Sequence, residues 1–371
     1  MATNFLRQHF CTEMYYSGLL FCLYPIENRI KKIILLNIYT AVMITVHSFV
    51  WYKFLSLKRF YLIDTFEFSA VTVLIATAFF MSTVSSWKSQ FAIKQWKVLI
   101  QNLSVNPRNN PGRLIWYSII IIFQIAANVH IHYGMTIHPN QFIYEELMSL
   151  MCIGVTVNSL FANRLLNSIE LKVAEIKFKL QAEIVTYNSI ALKADSNDYF
   201  SIYLSVSEMD KIVESFLGIL KGIQSFNTIF GQTIIGLAIF ATMSIANAMY
   251  IALIPHASMD TYFMRCVLTK KVIINIAYLV YCFLYIQPCV RTTSHLGEAV
   301  KITCRLSTKL PHNAANPNYI LFQRKLDLLN KQLNTRKPYF SATDVFDVDY
   351  SIFLYIFAGV SSIVVVYVQL K

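Results

Sequence analysis

The side chains with the most specific chemistry in this chain stand at its carboxyl end. Ser362, Val366, Gln369 and Leu370 fall at helical offsets of zero, four, seven and eight, so one face of a helix combines two polar groups with two aliphatic ones. Such a face packs against neighbouring helices, or it lines a water-filled path in which Val366 and Leu370 form a constriction that closes by dewetting. Just before it, Asp344, Asp347 and Asp349 cluster within six residues. Acids there can cap the helix that follows, and repeated around a symmetry axis they make a ring of negative potential that draws in cations.

A second set of polar residues is scattered through long apolar stretches: Glu67, Gln124, Asn128, His132, Tyr144, Glu145, Asn247, Tyr250, Asn275 and Tyr278. Burying such groups in lipid is costly, so each is a candidate contact for a small organic ligand in a mostly apolar, aromatic pocket. Glu67 is the foremost ionisable candidate, although a position near the outer boundary also suits a solvated or helix-terminal carboxylate. His132 and the tyrosines equally suit interfacial anchoring.

Catalysis finds no support: no His-x-x-x-His, paired-Asp, nucleophile or Gly-rich phosphate motif stands where a site could assemble. Neither a metal nor a cofactor is expected. Of the seven cysteines (Cys11, Cys22, Cys152, Cys266, Cys282, Cys289, Cys304), only Cys266 falls in an expected external loop, so no external intrachain disulfide can form. The one glycosylation sequon, Asn102-Leu103-Ser104, falls in an expected cytosolic loop.

The elements that must position these residues follow from charge. Of 371 residues, 56% are hydrophobic and 14% charged, against roughly 25% charged in soluble domains; mean hydropathy is +0.49. No Asp, Glu, Lys or Arg occurs in 33–52, 68–87, 114–144, 147–163, 222–259, 272–290 or 350–370. A helix crosses the ~30 Å hydrocarbon core with roughly 20 apolar residues, so these seven runs predict seven transmembrane helices. Their backbones must pair internally, and runs this uniform lack the alternation of barrel strands. An all-α membrane protein in the lipid bilayer is therefore expected. The apolar stretch 14–26 follows Glu13 and lacks a small-residue cleavage site, so it reads as an uncleaved helix at the membrane surface.

Orientation comes from Lys and Arg. With the amino terminus in the cytosol, 25 of the 32 basic residues lie inside and 7 outside. That arrangement opposes a metabotropic seven-helix receptor, whose amino terminus is external. The third span also has no Asp-Arg-Tyr, and the last has no Asn-Pro-x-x-Tyr. A secondary transporter is a further alternative and would show internal repeats and matching helix breaks, which are absent. The net charge of +12 is spread over cytosolic loops and suits contact with the anionic inner leaflet; nucleic acid is not an expected partner.

Two charged regions carry apolar stripes. Ile169, Val173, Ile176, Leu180 and Ile184 recur at helical steps, and 319–334 places Phe322, Leu326, Leu329 and Leu333 on one face. Either stripe can pack within the subunit or build a cytosolic bundle that also joins subunits. The expected organisation is a cytosolic segment 1–32, a six-helix bundle 33–290 containing a cytosolic loop helix 164–221, a cytosolic anchor 291–348, and a terminal helix 349–371.

The carboxyl end resembles the insect gustatory receptor family, relatives of the insect odorant receptors. The resemblance rests on Tyr339-Phe340-Ser341-Ala342-Thr343-Asp344-Val345-Phe346-Asp347-Val348-Asp349, then Ala358-Gly359-Val360-Ser361-Ser362 and Val368-Gln369-Leu370-Lys371. About 35 residues carry it closely, while the span count and length extend it over the chain. Ser362-Ile363 stand where the family has Thr-Tyr, Leu370 stands for Phe, and the Val-Gln-Leu-Lys ending is more similar to the odorant co-receptor. The resemblance implies a ligand-gated cation channel in the plasma membrane, with its carboxyl terminus outside. It also implies a homotetramer, or a heterotetramer with related subunits, around one pore built from the last helices. By alignment, Val366 and Leu370 are similar to the gate positions and Gln369 to the motif glutamine. The implied ligand is a small-molecule tastant bound in the outer half of the first six spans. The sugar-sensing branch carries an acid where this chain has Val364, and the carbon-dioxide-sensing members are longer, so the bitter-type set fits best.

Overall fold

The computed structural model describes residues 29–61, 65–102, 159, 162–182, 199–253, 261–309, 317–335 and 339–369. These form helices α1 (Arg29–Tyr61), α2 (Thr65–Phe91), α3 (Ile93–Asn102), α4 (162–182), α5 (Tyr199–Leu253), α6 (Thr261–Lys309), α7 (Pro317–Thr335) and α8 (Ser351–Gln369). The only β-type pairing among the described residues is one isolated bridge between Ser341 and Asp347. Among the described residues, four stretches are long and apolar enough to cross a membrane: Ile30–Leu55, Ser69–Phe91, Val206–Leu253 and Leu268–Thr308. Ser351–Val366 is a shorter apolar stretch. The expected span 114–144 lies outside the described residues, as does most of 147–163.

Two helices are far longer than a bilayer requires. At ~1.5 Å per residue, α5 with 55 residues and α6 with 49 reach well beyond the hydrocarbon. Their charges show which parts project. Glu208, Asp210, Lys211, Glu214 and Lys221 sit in the first half of α5, and Arg291, Glu298, Lys301 and Arg305 in the second half of α6. Consecutive spans run in opposite directions, so both charged parts emerge on the same side. There α7 packs against both helices.

The stripes read from the sequence face inward in this bundle. Ile169, Val173, Ile176 and Leu180 of α4 are buried, as are Phe322, Leu326 and Leu329 of α7; Ile184 and the side chain of Leu333 lie outside the described set. Polar contacts fix the register. Lys325 pairs with Asp210, Ser307 Oγ donates to Asp327 Oδ1 at 3.2 Å, and Cys304 Sγ donates to Asn330 Oδ1 at 3.4 Å. On α4 the Lys179 ammonium donates to Glu175 at 2.8 Å and, aided by Lys172, holds that carboxyl below its ordinary value. A depressed carboxylate stabilises the fold above its unfolded pKa and loses that contribution as pH falls. The group is partly solvated, so the effect is small.

All of α2, α3, α6, α7 and α8 pack on α5. The short α3 shows how: Trp96 and Leu99 are fully buried, Trp96 Nε1 donates to Ser89 Oγ at 3.1 Å, and its ring stands edge-on to Phe230 of α5 at 6.1 Å. α1 joins α2 through Trp87 Nε1, which donates to Thr40 Oγ1 at 2.9 Å.

Two glycines of α5 give a paired test of this packing. A Cβ at Gly231 would lie 2.8 Å from the backbone nitrogen of Thr343, whereas one at Gly222 would meet only Leu99 Cδ1 at 3.8 Å. Gly231→Ala should destabilise the purified protein by roughly 1–3 kcal/mol. Gly222→Ala should be neutral or stabilise by up to ~1 kcal/mol through helix propensity. Thermal unfolding of both variants in detergent checks this, and equal shifts would refute the close approach at Gly231.

Candidate functional site

The segment that leads into the last helix is a compact loop docked on α5. Phe340, Ser341 and Ala342 are buried. The Phe340 ring meets Phe226 edge-on at 5.9 Å, and Asn227 Nδ2 donates to the Tyr339 carbonyl at 3.0 Å. Inside the loop, Ala342 N donates to Phe346 O at 2.9 Å and Val348 N to Phe340 O at 2.8 Å. Thr343 and Asp344 have φ of 51° and 59°, the left-handed region that non-glycine residues enter at a cost, a β-branched threonine above all. Ser341 Oγ offsets that cost by accepting from Asp344 N at 2.6 Å and donating to Asp344 Oδ1 at 3.1 Å. Thr343 N sits against the bare Cα of Gly231, so the loop's conformation and its seat on α5 are one requirement.

The three aspartates are all exposed, but they have different local roles. Asp349 caps α8: its Oδ1 accepts from Ser351 N at 2.8 Å and from Ser351 Oγ at 2.5 Å. Asp344 is held by Ser341, and Asp347 faces Ser341 across the isolated bridge. The capping role therefore belongs to Asp349 alone, and an exposed acidic edge remains beside it.

α8 is covered on one side only. Ile352, Ile356 and Val360 are buried, and a Cβ at Gly359 would stand 3.0 Å from Thr242 Cγ2, so this face lies close against α5. Ser362, Val366 and Gln369 stand on the exposed face, as do Leu354, Tyr355, Phe357, Val365 and Val368. Val366 is 49% exposed. Ser362 Oγ donates to the Ala358 carbonyl at 2.8 Å, which satisfies the hydroxyl within the helix. Leu370 lies outside the described residues.

Of the expected ligand contacts, Asn275 and Tyr278 meet α5. Ser244 Oγ donates to Asn275 Oδ1 at 2.5 Å, and the fully buried Tyr278 ring stands edge-on to Phe240 at 4.8 Å and to Tyr281 at 6.1 Å. Asn247, three residues beyond Ser244, is 3% exposed, and its Oδ1 accepts no hydrogen bond from the described residues. Tyr250 belongs elsewhere, in a small cluster with Ala70 of α2, Ile251 and Ile363 of α8. Glu67 is in the first turn of α2, but its side chain is outside the described set; Gln124, Asn128, His132, Tyr144 and Glu145 are outside it altogether. The partners Ser244, Phe240 and Tyr281 escaped sequence reasoning. A step of three residues leads from Asn247 to Ser244 and from Tyr278 to Tyr281, whereas the meeting of Phe240 with Tyr278 depends on the pairing of α5 with α6, which leaves no local signal.

No family model and no curated protein matches the sequence. Among solved structures, the chain is similar to the insect olfactory receptor OR5 from Machilis hrabei, solved in complex with eugenol, at a TM-score of 0.61 and 12% identity. The match covers 99% of this chain and 100% of that one. At such low identity the likeness is one of fold. Over nearly its whole length, this chain has the fold of an insect olfactory receptor.

Proposed function

We propose that this chain is a chemoreceptor subunit of the gustatory type that forms a ligand-gated cation channel in the plasma membrane, opened by a small organic tastant of the bitter class. The observation that carries this reading is the one-sided packing of α8. An apolar helix that leaves Ser362, Val366 and Gln369 uncovered by its own subunit takes its neighbours from outside the chain, and the Gln369 amide on that face suits water and neighbouring copies better than lipid. The shared fold supports the same reading, as does the docked loop that sets Asp344, Asp347 and Asp349 beside the start of the helix.

In this reading four subunits, identical or related, surround one pore. Val366 and Leu370 close it, Gln369 lines it, and the aspartates concentrate cations at its cytosolic mouth. The amino terminus is cytosolic and the carboxyl terminus external. The tastant binds toward the outer half of the bundle among Glu67, Gln124, Asn128, His132, Tyr144, Glu145, Asn247, Tyr250, Asn275 and Tyr278. Tyr250, packed against Ile363, links that region to the pore helix.

Whole-cell recording from cells expressing this chain tests the reading against sugars and bitter plant compounds. An agonist-dependent cation current is expected, with a several-fold larger resting leak in Val366→Ala and altered ion selectivity in Gln369→Ala. No current in any variant, despite surface expression, would refute a homomeric channel; an external amino terminus would refute the assignment altogether.

Asn247 tests the ligand contact separately. A buried acceptor that serves the agonist contributes about 0.5–1.5 kcal/mol, so Asn247→Leu should raise the half-maximal agonist concentration roughly 3- to 10-fold at unchanged leak. If the concentration–response curve stays in place while the protein becomes more stable, Asn247 takes no part in binding.

A further inference from the structure

α4 and α6 meet along a seam whose register is regular. Asn163 Nδ2 donates to the Leu284 carbonyl, Arg291 pairs with Glu170 at 3.6 Å, and Lys177 pairs with Glu298. The steps are seven residues on each helix, from Asn163 to Glu170 to Lys177 and from Leu284 to Arg291 to Glu298. Two helices that keep contact every seventh residue in the same chain order run parallel, with the spacing of a coiled-coil seam.

The first of these contacts answers a defect in α6. Pro288 lies inside that helix and has no N–H. The carbonyl four residues earlier, Leu284, therefore loses its helical donor, and an unpaired carbonyl at the edge of the hydrocarbon is costly. Asn163 supplies the missing donor from the neighbouring helix. Its orientation is set by a second amide: Asn167 Nδ2 donates to Asn163 Oδ1 at 2.7 Å, which turns Asn163 Nδ2 toward α6. Asn163 is 2% exposed.

The position of this clip matters. Above it on α6 lie Asn275, Tyr278 and Tyr281; below it lie Arg291 and Glu298, and beyond them the part of α6 that packs on α7. The proline is where α6 has the fewest backbone bonds holding its two parts in line.

We infer that Asn163 is a positioning residue for gating: by standing in for the N–H that Pro288 lacks, it fixes how the ligand-side part of α6 is set on the cytosolic part. The inference rests on the channel reading for its functional consequence, but not for the clip itself. The role assigned to Asn163 acts through the Leu284 carbonyl.

A double-mutant cycle on the full-length chain separates the two. Replacing Pro288 with alanine returns an N–H to Leu284, so Asn163 becomes redundant. Asn163→Ala should lower the detergent melting temperature by roughly 2–4 °C and shift the half-maximal agonist concentration about 3- to 10-fold. In the Pro288→Ala background the same substitution should change both by less than half as much. Asn163→Ser, which keeps a donor on a shorter arm, replaces the alanine variant if that fails to reach the membrane and should show a weaker form of the same pattern. Equal effects in the two backgrounds would overturn the clip. A coupled change in melting temperature with an unmoved agonist response would overturn the gating role and leave Asn163 structural. A parent chain that never responds to any agonist would overturn the channel reading together with the gating role, and the melting cycle would still decide the clip.

Discussion

Most of the described helices are registered against one helix. α5 runs 55 residues without a break and carries α2, α3, α6, α7 and α8 on its sides. A rigid rod of that length fixes relative heights: the α7 contact at Asp210, the loop seat at Gly231, the α8 approach at Thr242 and the Ser244–Asn275 contact are spaced along it in sequence order. Apolar burial drives the packing of its charged half, where water competes. In the lipid half apolar burial drives little, and close approach and polar contacts select the arrangement instead. Gly231 and Gly359 mark two such approaches, one receiving a loop and one bringing a whole helix against Thr242.

Backbone satisfaction explains features that side-chain composition leaves unexplained. Asp349 serves the first N–H of α8, that of Ser351, Ser341 steadies a left-handed turn, and Asn163 serves the carbonyl that Pro288 strands. Each is a single polar side chain placed at a point where the main chain departs from a continuous helix. None depends on a partner subunit.

α8 is different in kind. Its inner face is closed by Ile352, Ile356 and Val360, while its outer face keeps large apolar groups such as Leu354 and Val366 uncovered. A helix with that division is finished only by an environment outside its own chain, whether lipid, water or a second copy.

The sequence by itself determined the elements and the faces. Absence of charge marked α1, α2, α5, α6 and α8, because charged groups are too costly in hydrocarbon; helical spacing marked the stripe of Ile169, Val173, Ile176 and Leu180 and that of Phe322, Leu326 and Leu329, all of which are buried. It also put Ser362, Val366 and Gln369 on one face, since helix geometry is local. Only the tertiary structure decided what each face meets. Within the stretch 164–221, expected to hold a cytosolic loop helix, the described residues belong to α4 and to the charged half of α5, and which neighbours they meet is a matter of the assembled bundle. That Asn163 answers the carbonyl of Leu284, 121 positions further along the chain, which Pro288 strands, depends on two helices lying side by side, which no local pattern encodes.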